Sequence, residues 1–186
     1  NLGPLVMFDR TDEKIQCDKV VIDDYNCGYN TTKHLIQTGC KKIAIVTTMD
    51  TVGIIHLRID GYKRALRDND IEVCEKRILY IKKNYDFETE IKTFLDYTEI
   101  DAIIGLDEYA TIESMTIAKS RGYKIPTDIS FVGYTNGNVF KYVTPSITCI
   151  NQHGFYMGKK AAEKVIERIE HKNNDNPMYE TKIIKT

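Results

Sequence analysis

The chain has 186 residues and a mass of 21.4 kDa, room for one domain with a buried core or two small subdomains and too little for a larger assembly. Its 26 Lys and Arg stand against 27 Asp and Glu, a net charge of -1, so neither a basic excess nor an acidic tail marks the chain for nucleic acid or for a solvated extension. With 42% hydrophobic residues, 28% charged residues and a mean hydropathy of -0.36 the composition is that of a folding chain, and no apolar run reaches the roughly 18 residues of a membrane span.

Taken in order, strands are predicted at PLVMF (4–8) and KVVID (19–23), then a helix over 26–38 that Gly39 stops. KIAIVTT (42–48) is the next strand, followed by a helix over 55–69, a strand RILYI (77–81) and a helix over 87–97. DAIIGL (101–106) precedes a helix over 108–121, stopped by Gly122 with Pro126 beyond. DISFVGY (128–134), SITCI (146–150), a helix over 154–171 and ETKIIK (180–185) complete the series, with a surface turn at HKNNDNP (171–177). Several strands are apolar without alternation, as in a sheet covered on both faces. Strand and helix alternation of this kind predicts parallel sheets flanked by helices, with ligands beyond the carboxyl ends of the strands. Those ends are Asp9 and Arg10, Asp23 and Asp24, Thr47 to Asp50, Leu106 and Asp107, and Tyr134 to Asn136. In the last helix Ala161, Ala162, Val165 and Ile169 form an apolar stripe, to be buried where strands cover it and exposed where they do not.

Catalytic and metal motifs are sparse. GFYMGKK (154–160) has three residues between its glycines and no Ser or Thr after the Lys, so it is not a phosphate loop. His34, His56, His153 and His171 stand in no nucleophile motif, and Asn30-Thr31-Thr32, a glycosylation triplet, falls inside a helix. The five cysteines, Cys17, Cys27, Cys40, Cys74 and Cys149, are odd in number with no CxxC pair, which argues against a disulfide framework and a zinc site and for a reducing cytoplasm. The opening NLGPLVMFDR shows no secretory signal and no initiator Met, so the sequence reads as starting within a longer protein. No cofactor is expected. HLRIDGYKRAL (56–66) is more informative: Arg58 at the front of an amphipathic helix can offer a planar fork to vicinal hydroxyls or a carboxylate, or else form a surface salt bridge to Asp60. Asp9 and Arg10 divide in the same way between pocket groups and a structural ion pair.

PLVMFDR, VVIDDYNCGY, HLIQTGCKKIAIV, LRIDGYKRAL, DAIIGLDEYA, IPTDISFVGYTN, TPSITCINQ and MGKKAAEKVIERI, in this order and spacing, resemble the effector-binding core of lactose-repressor (LacI/GalR) type transcription regulators. The resemblance covers nearly the whole chain. It implies an α/β, periplasmic-binding-protein-like type I fold with Rossmann-like parallel sheets in two subdomains, the N-terminal one truncated. Residues 1–23 and 151–175 would be the remnant of the N-terminal subdomain, and 24–150 with 176–186 the C-terminal one. The helix-turn-helix would lie before Asn1, so this fragment alone should not bind operator DNA.

Carried over residue by residue, the resemblance implies that Asp9, Arg58 and Gln152 contact a ligand in the inter-subdomain cleft, with Arg10 beside Asp9. Two positions depart from the pattern: Thr135 stands where an acidic residue usually follows the GY pair, and Leu106 where some sugar-binding members have Asn. An aromatic wall would come from Tyr80, Tyr85 or Phe87. The implied function is a sensor: a small sugar-like effector, a homodimer, and DNA contact only through the missing helix-turn-helix, with no membrane partner and no enzymatic step. Because Arg10 and Arg58 face a lone Asp9, the cleft charge leans positive and suggests a sugar carrying an acidic group such as a uronate or phosphate. The competing reading is an extracytoplasmic sugar-binding protein feeding a transporter, against which the IPTDISFVGYTN and PSITCINQ blocks and the unpaired cysteines weigh. A Rossmann-like enzyme would need catalytic groups that these motifs do not assemble.

Overall fold

The computed structural model describes residues 3–48, 53–82, 85–170 and 178–186. The turn expected over 171–177 and the strand end at Asp50 lie outside the described residues. Contacts divide the chain into two compact units, Asn1–Asp23 with Gln152–Thr186, and Asp24–Asn151.

In the second unit, helix α1 (Asp24–Gln37) leads into strand β3 (Ile43–Thr47), numbered after β1 and β2 of the first unit (below). There follow α2 (Gly53–Asp68), β4 (Ile78–Tyr80), α3 (Phe87–Tyr97), β5 (Ala102–Gly105), α4 (Glu108–Ser120), β6 (Ser130–Thr135) and β7 (Thr148–Asn151). The sheet runs β4-β3-β5-β6-β7, with every pair parallel. Side chains alternate across it, so the register row Ala44, Ile103 and Phe131 enters one apolar cluster with Ile91, Phe94 and Leu95 of α3 and Met115, Ile117 and Ala118 of α4. The next row, Ile45, Ile104 and Val132, is equally buried outside that cluster, and each such isoleucine contributes about 1.5–3 kcal/mol. Burial on both faces is why β3 and β5 read as unbroken apolar runs.

Helices α1 and α2 touch backbone to backbone. A Cβ on Gly28 would lie 2.0 Å from the carbonyl oxygen of Arg58, and one on Gly61 would lie 2.1 Å from that of Tyr25. Glycine is required here for approach, not for a special dihedral. Gly28→Ala should therefore force the helices apart and destabilise the chain by about 1–3 kcal/mol, read as a lowered midpoint in thermal unfolding. An unchanged midpoint would mean that the pair can separate freely.

In the first unit, β1 (Val6–Phe8) and β2 (Asp18–Ile22) pair in parallel, and β8 (Thr181–Ile184) pairs with the other edge of β2, Lys19 opposite Thr181 and Ile22 opposite Ile184. The assignment of residues 176–186 to the second unit is thus corrected: ladder pairing to β2, together with the bond from Lys19 N–H to the Glu180 carbonyl at 2.9 Å, holds the last strand in the first. Helix α5 (Gly154–Glu170) packs on β1 and β2. The apolar stripe on α5 is covered only in part. Met157 and Ala161 are buried and Val165 is half-buried, while Ala162 and Ile169 are exposed. On the same helix Arg168 reaches the buried Asp18 with two hydrogen bonds, 2.7 and 2.8 Å. Not every strand is covered on both faces either. In β7 and β8 most positions are exposed, since each is an edge strand of its sheet.

Candidate functional site

The strand order fixes where a ligand can approach. From β3 the chain moves outward to β4 and then returns past β3 to β5, so the connections leave β3 and β5 in opposite directions. That switch point opens a crevice beyond the carboxyl ends of these two strands. Thr48 follows β3 there, and Leu106 and Asp107 follow β5. Asp107 caps α4, its Oδ1 accepting the Ala110 N–H at 2.7 Å, while its Oδ2 accepts the N–H and hydroxyl of Thr48 at 3.1 and 3.0 Å. The crevice is therefore laced by a carboxylate whose two oxygens hold the ends of neighbouring strands together.

Beside it lies a groove of about 290 Å³ lined by Thr48, Ile81, Lys82, Tyr85, Phe87 and Tyr109. Phe87 and Tyr109 meet edge to face, ring centroids 5.1 Å apart, a geometry that fixes both rings. Tyr85 and Tyr109 remain more than half exposed. Of the three aromatics considered from sequence, Tyr85 and Phe87 line this groove, Tyr80 does not, and Tyr109 joins them.

Arg58 is not at a rim. It is 1% exposed, its Nε donates to Asp24 Oδ1 at 2.7 Å, an Nη donates to the Leu106 carbonyl at 3.1 Å, and the guanidinium lies 4.0 Å over the Tyr134 ring. The expected salt bridge to Asp60 is corrected: Arg58 pairs with Asp24, which lies 34 residues earlier and starts the helix that packs against its own. Tyr134 is fully buried, and burial pushes its hydroxyl above the usual phenol range against the opposing pull of Arg58. It stays a neutral hydroxyl, 3.4 Å from that of Thr31.

Leu106 is buried and contributes its backbone, accepting from Arg58 and donating its N–H to Val46 at 3.0 Å. Thr135 is 2% exposed. Its hydroxyl donates to Glu108 Oε1 and accepts the Gly137 N–H at 2.9 Å, which occupies it within the protein. Asp9, Arg10 and Gln152 belong to the first unit. Asp9 follows β1 with φ of 62°, a left-handed conformation that Asp tolerates better than most residues, and its N–H donates to the Val20 carbonyl at 3.1 Å. Arg10 is exposed and Gln152 half-buried.

Sequence reasoning missed Glu108 and Tyr109, and it marked Asp24 and Asp107 only as strand ends. An acidic residue one place past an N-cap Asp is ordinary helix chemistry, so Glu108 carried no signal of its own. Asp24 offsets Arg58, and the sheet edge adds Asp107 and Glu108 to the charged groups, with Lys82 in the groove beside them.

Comparison with known proteins follows this geometry. The periplasmic binding protein-like domain family matches residues 32–185. The chain is 31% identical over 182 residues to the transcriptional repressor PurR of Vibrio atlanticus, covering 95% of this chain and 54% of the relative. It is 27% identical over 186 residues to the ribose operon repressor of Haemophilus influenzae, again 54% of that protein. The chain thus spans about half the length of these curated relatives. Among solved structures, a LacI family transcriptional regulator from Enterococcus faecium with bound ribose has a TM-score of 0.84 at 24% identity, covering 98% of this chain and 67% of that one. A CelR-cellobiose complex has 0.85 at 24%, covering 97% and 55%. At that identity the two structures establish the fold. No helix among the described residues is long and apolar enough to cross a membrane. Matched by this family model across most of its length, the chain belongs to the periplasmic binding protein-like domain family.

Proposed function

We propose that this chain is the effector-binding part of a LacI/GalR-type transcription regulator and that it binds a small, neutral, polyhydroxylated metabolite at the carboxyl edge of the five-stranded sheet. The observation that carries the reading is the pairing of an aromatic groove with carboxylates at the switch point: Tyr85, Phe87 and Tyr109 beside Thr48, with Asp107 and Glu108 along the same edge. Aromatic faces pack against the C–H face of a sugar while carboxylates accept its hydroxyls, and a groove of this size is near the lower end of the usual range of about 300–1,000 Å³ for small-ligand sites. The acidic effector is not retained, since the Arg58 fork that would have held an anion is bound to Asp24.

Repressors among the relatives support a regulator over an extracytoplasmic sugar-binding protein. The protein then acts in the cytoplasm by binding, with no turnover of its ligand. The ligand favours one conformation only by its difference in affinity between conformations, and a homodimer passes that preference to a helix-turn-helix outside this sequence.

Calorimetric titration with ribose and cellobiose tests it. One of them or a related neutral sugar should bind with an affinity that holds as salt rises, and the sugar should be recovered unchanged. Binding that weakens steeply with salt, or conversion of the sugar, would overturn the reading.

A further inference from the structure

At the carboxyl end of β6 the polar groups divide into those already spent and one that is not. Thr135 uses its hydroxyl twice inside the protein, as donor to Glu108 and as acceptor from Gly137. Asp107 accepts three protein donors across its two oxygens. Arg58 is sealed beneath 1% exposure. Glu108 differs: its residue is exposed, Oε1 is held by the Thr135 hydroxyl, and among the described residues Oε2 meets no protein donor. The carboxylate is thus tethered at one oxygen and open at the other, and a carboxylate oxygen can still accept hydrogen bonds. A free surface glutamate loses side-chain entropy when it engages a ligand. One already held by a buried hydroxyl has lost much of that freedom before the ligand arrives.

We infer that Glu108, positioned by Thr135, is a specificity-determining residue of this edge: it accepts hydroxyls of a neutral sugar and turns away ligands that carry a negative charge. The assignment rests on the sugar-binding reading above and deepens it. Thr135 does not touch the ligand. It is a positioning residue whose hydroxyl orients Glu108, and the selectivity belongs to the helix that starts α4 rather than to the strand that ends β6. The exclusion of anions follows from Coulomb repulsion at short range: among the described residues no ion pair to a protein cation offsets Glu108, Arg58 being matched by Asp24, while Lys82 lines the groove alongside.

The test is a set of titrations of the protein with ribose, glucose and cellobiose, and with ribose 5-phosphate and glucuronate as charged counterparts, on the wild type, Glu108→Gln, Thr135→Val and Thr135→Ser. Wild type should prefer the neutral sugars. Glu108→Gln should weaken the best neutral sugar by about tenfold or more, as expected when a charged acceptor becomes neutral, and should narrow the preference over its anionic counterpart. Thr135→Val removes the hydroxyl that holds Glu108 and should weaken the same sugar, whereas Thr135→Ser keeps the hydroxyl and should bind as wild type does, a rescue that a purely structural role would not produce. Thermal melting of Glu108→Gln should match wild type, because the side chain is exposed. Neutral-sugar binding that Glu108→Gln leaves unaltered, or a Thr135→Ser variant that binds no better than Thr135→Val, overturns the assignment while leaving the sugar site in place. Tighter wild-type binding of the anionic sugars overturns it too. A wild type that binds none of the five removes the sugar reading, and the assignment falls with it.

Discussion

Arg58→Ala lowers the unfolding free energy of the chain by about 3–5 kcal/mol, the cost of removing one partner from a buried ion pair. Three losses combine. The carboxylate of Asp24, itself 5% exposed, keeps its charge with its 2.7 Å donor gone; the Leu106 carbonyl loses its donor; and the face of Tyr134 loses a cation at 4.0 Å. A residue at a cleft rim would show the reverse, a small change in stability with most of the effect on binding. Urea unfolding checks it, and the partner substitution sharpens it. With Asp24→Ala also present, the two losses should sum to clearly more than the double variant shows, since neither charge is then left alone in the core. A stability change below about 1 kcal/mol for Arg58→Ala would mean that water reaches the site and solvates Asp24.

Asp18 presents the same physics with a pH signature. Its side chain is 2% exposed, Arg168 grips both oxygens, and the Glu180 N–H adds a third bond at 2.9 Å. Burial by itself would raise its pKa; the Arg168 hydrogen bonds and the Glu180 N–H, with the charges of Arg168 and Lys164, outweigh it and bring the pKa below the ordinary 3.8. A carboxyl whose pKa is lower in the folded state binds protons more readily when unfolded. Its stabilisation is therefore complete above pH about 4 and is lost as pH falls through the folded value. Arg168→Ala should destabilise the chain at neutral pH, and much less once Asp18 is protonated. Measuring stability of wild type and Arg168→Ala from pH 7 down to pH 2 tests this. Parallel curves across that range would show that Asp18 is not the group responsible.

How far these features could be read in advance follows from the range of the interactions. Apolar runs and their spacing lie within a few residues of one another, so the strands at 42–48 and 101–106 and the helices around Leu35, Ile91 and Ala118 could be placed from sequence alone. The parallel arrangement followed from their alternation. The burial of Arg58 could not, because an arginine is normally exposed, and only its partner 34 residues away makes the interior tolerable. The link between Thr135 and Glu108 spans 27 residues, and neither residue is unusual where it stands. The placement of ETKIIK beside β2 and that of Arg168 on α5 meet at Asp18, 150 residues from Arg168, a distance over which no local pattern carries information.

The pairing of β8 with β2 also sets a timetable for synthesis. All of Asp24–Asn151 is contiguous, whereas the first unit needs a strand that ends at Ile184. A ribosome adding about 5–20 residues per second delivers the 33 positions from Asn151 to Ile184 (184 − 151) roughly 2–7 s after the five-stranded sheet has all its strands. During that interval the inserted unit is free to fold, drawing the two ends of its sequence together before they are needed. The later closure then joins strands whose separation is no longer the full 162 residues between Asp18 and Glu180 but the span of an already folded body, so the loop entropy that parallel pairing normally costs has largely been met.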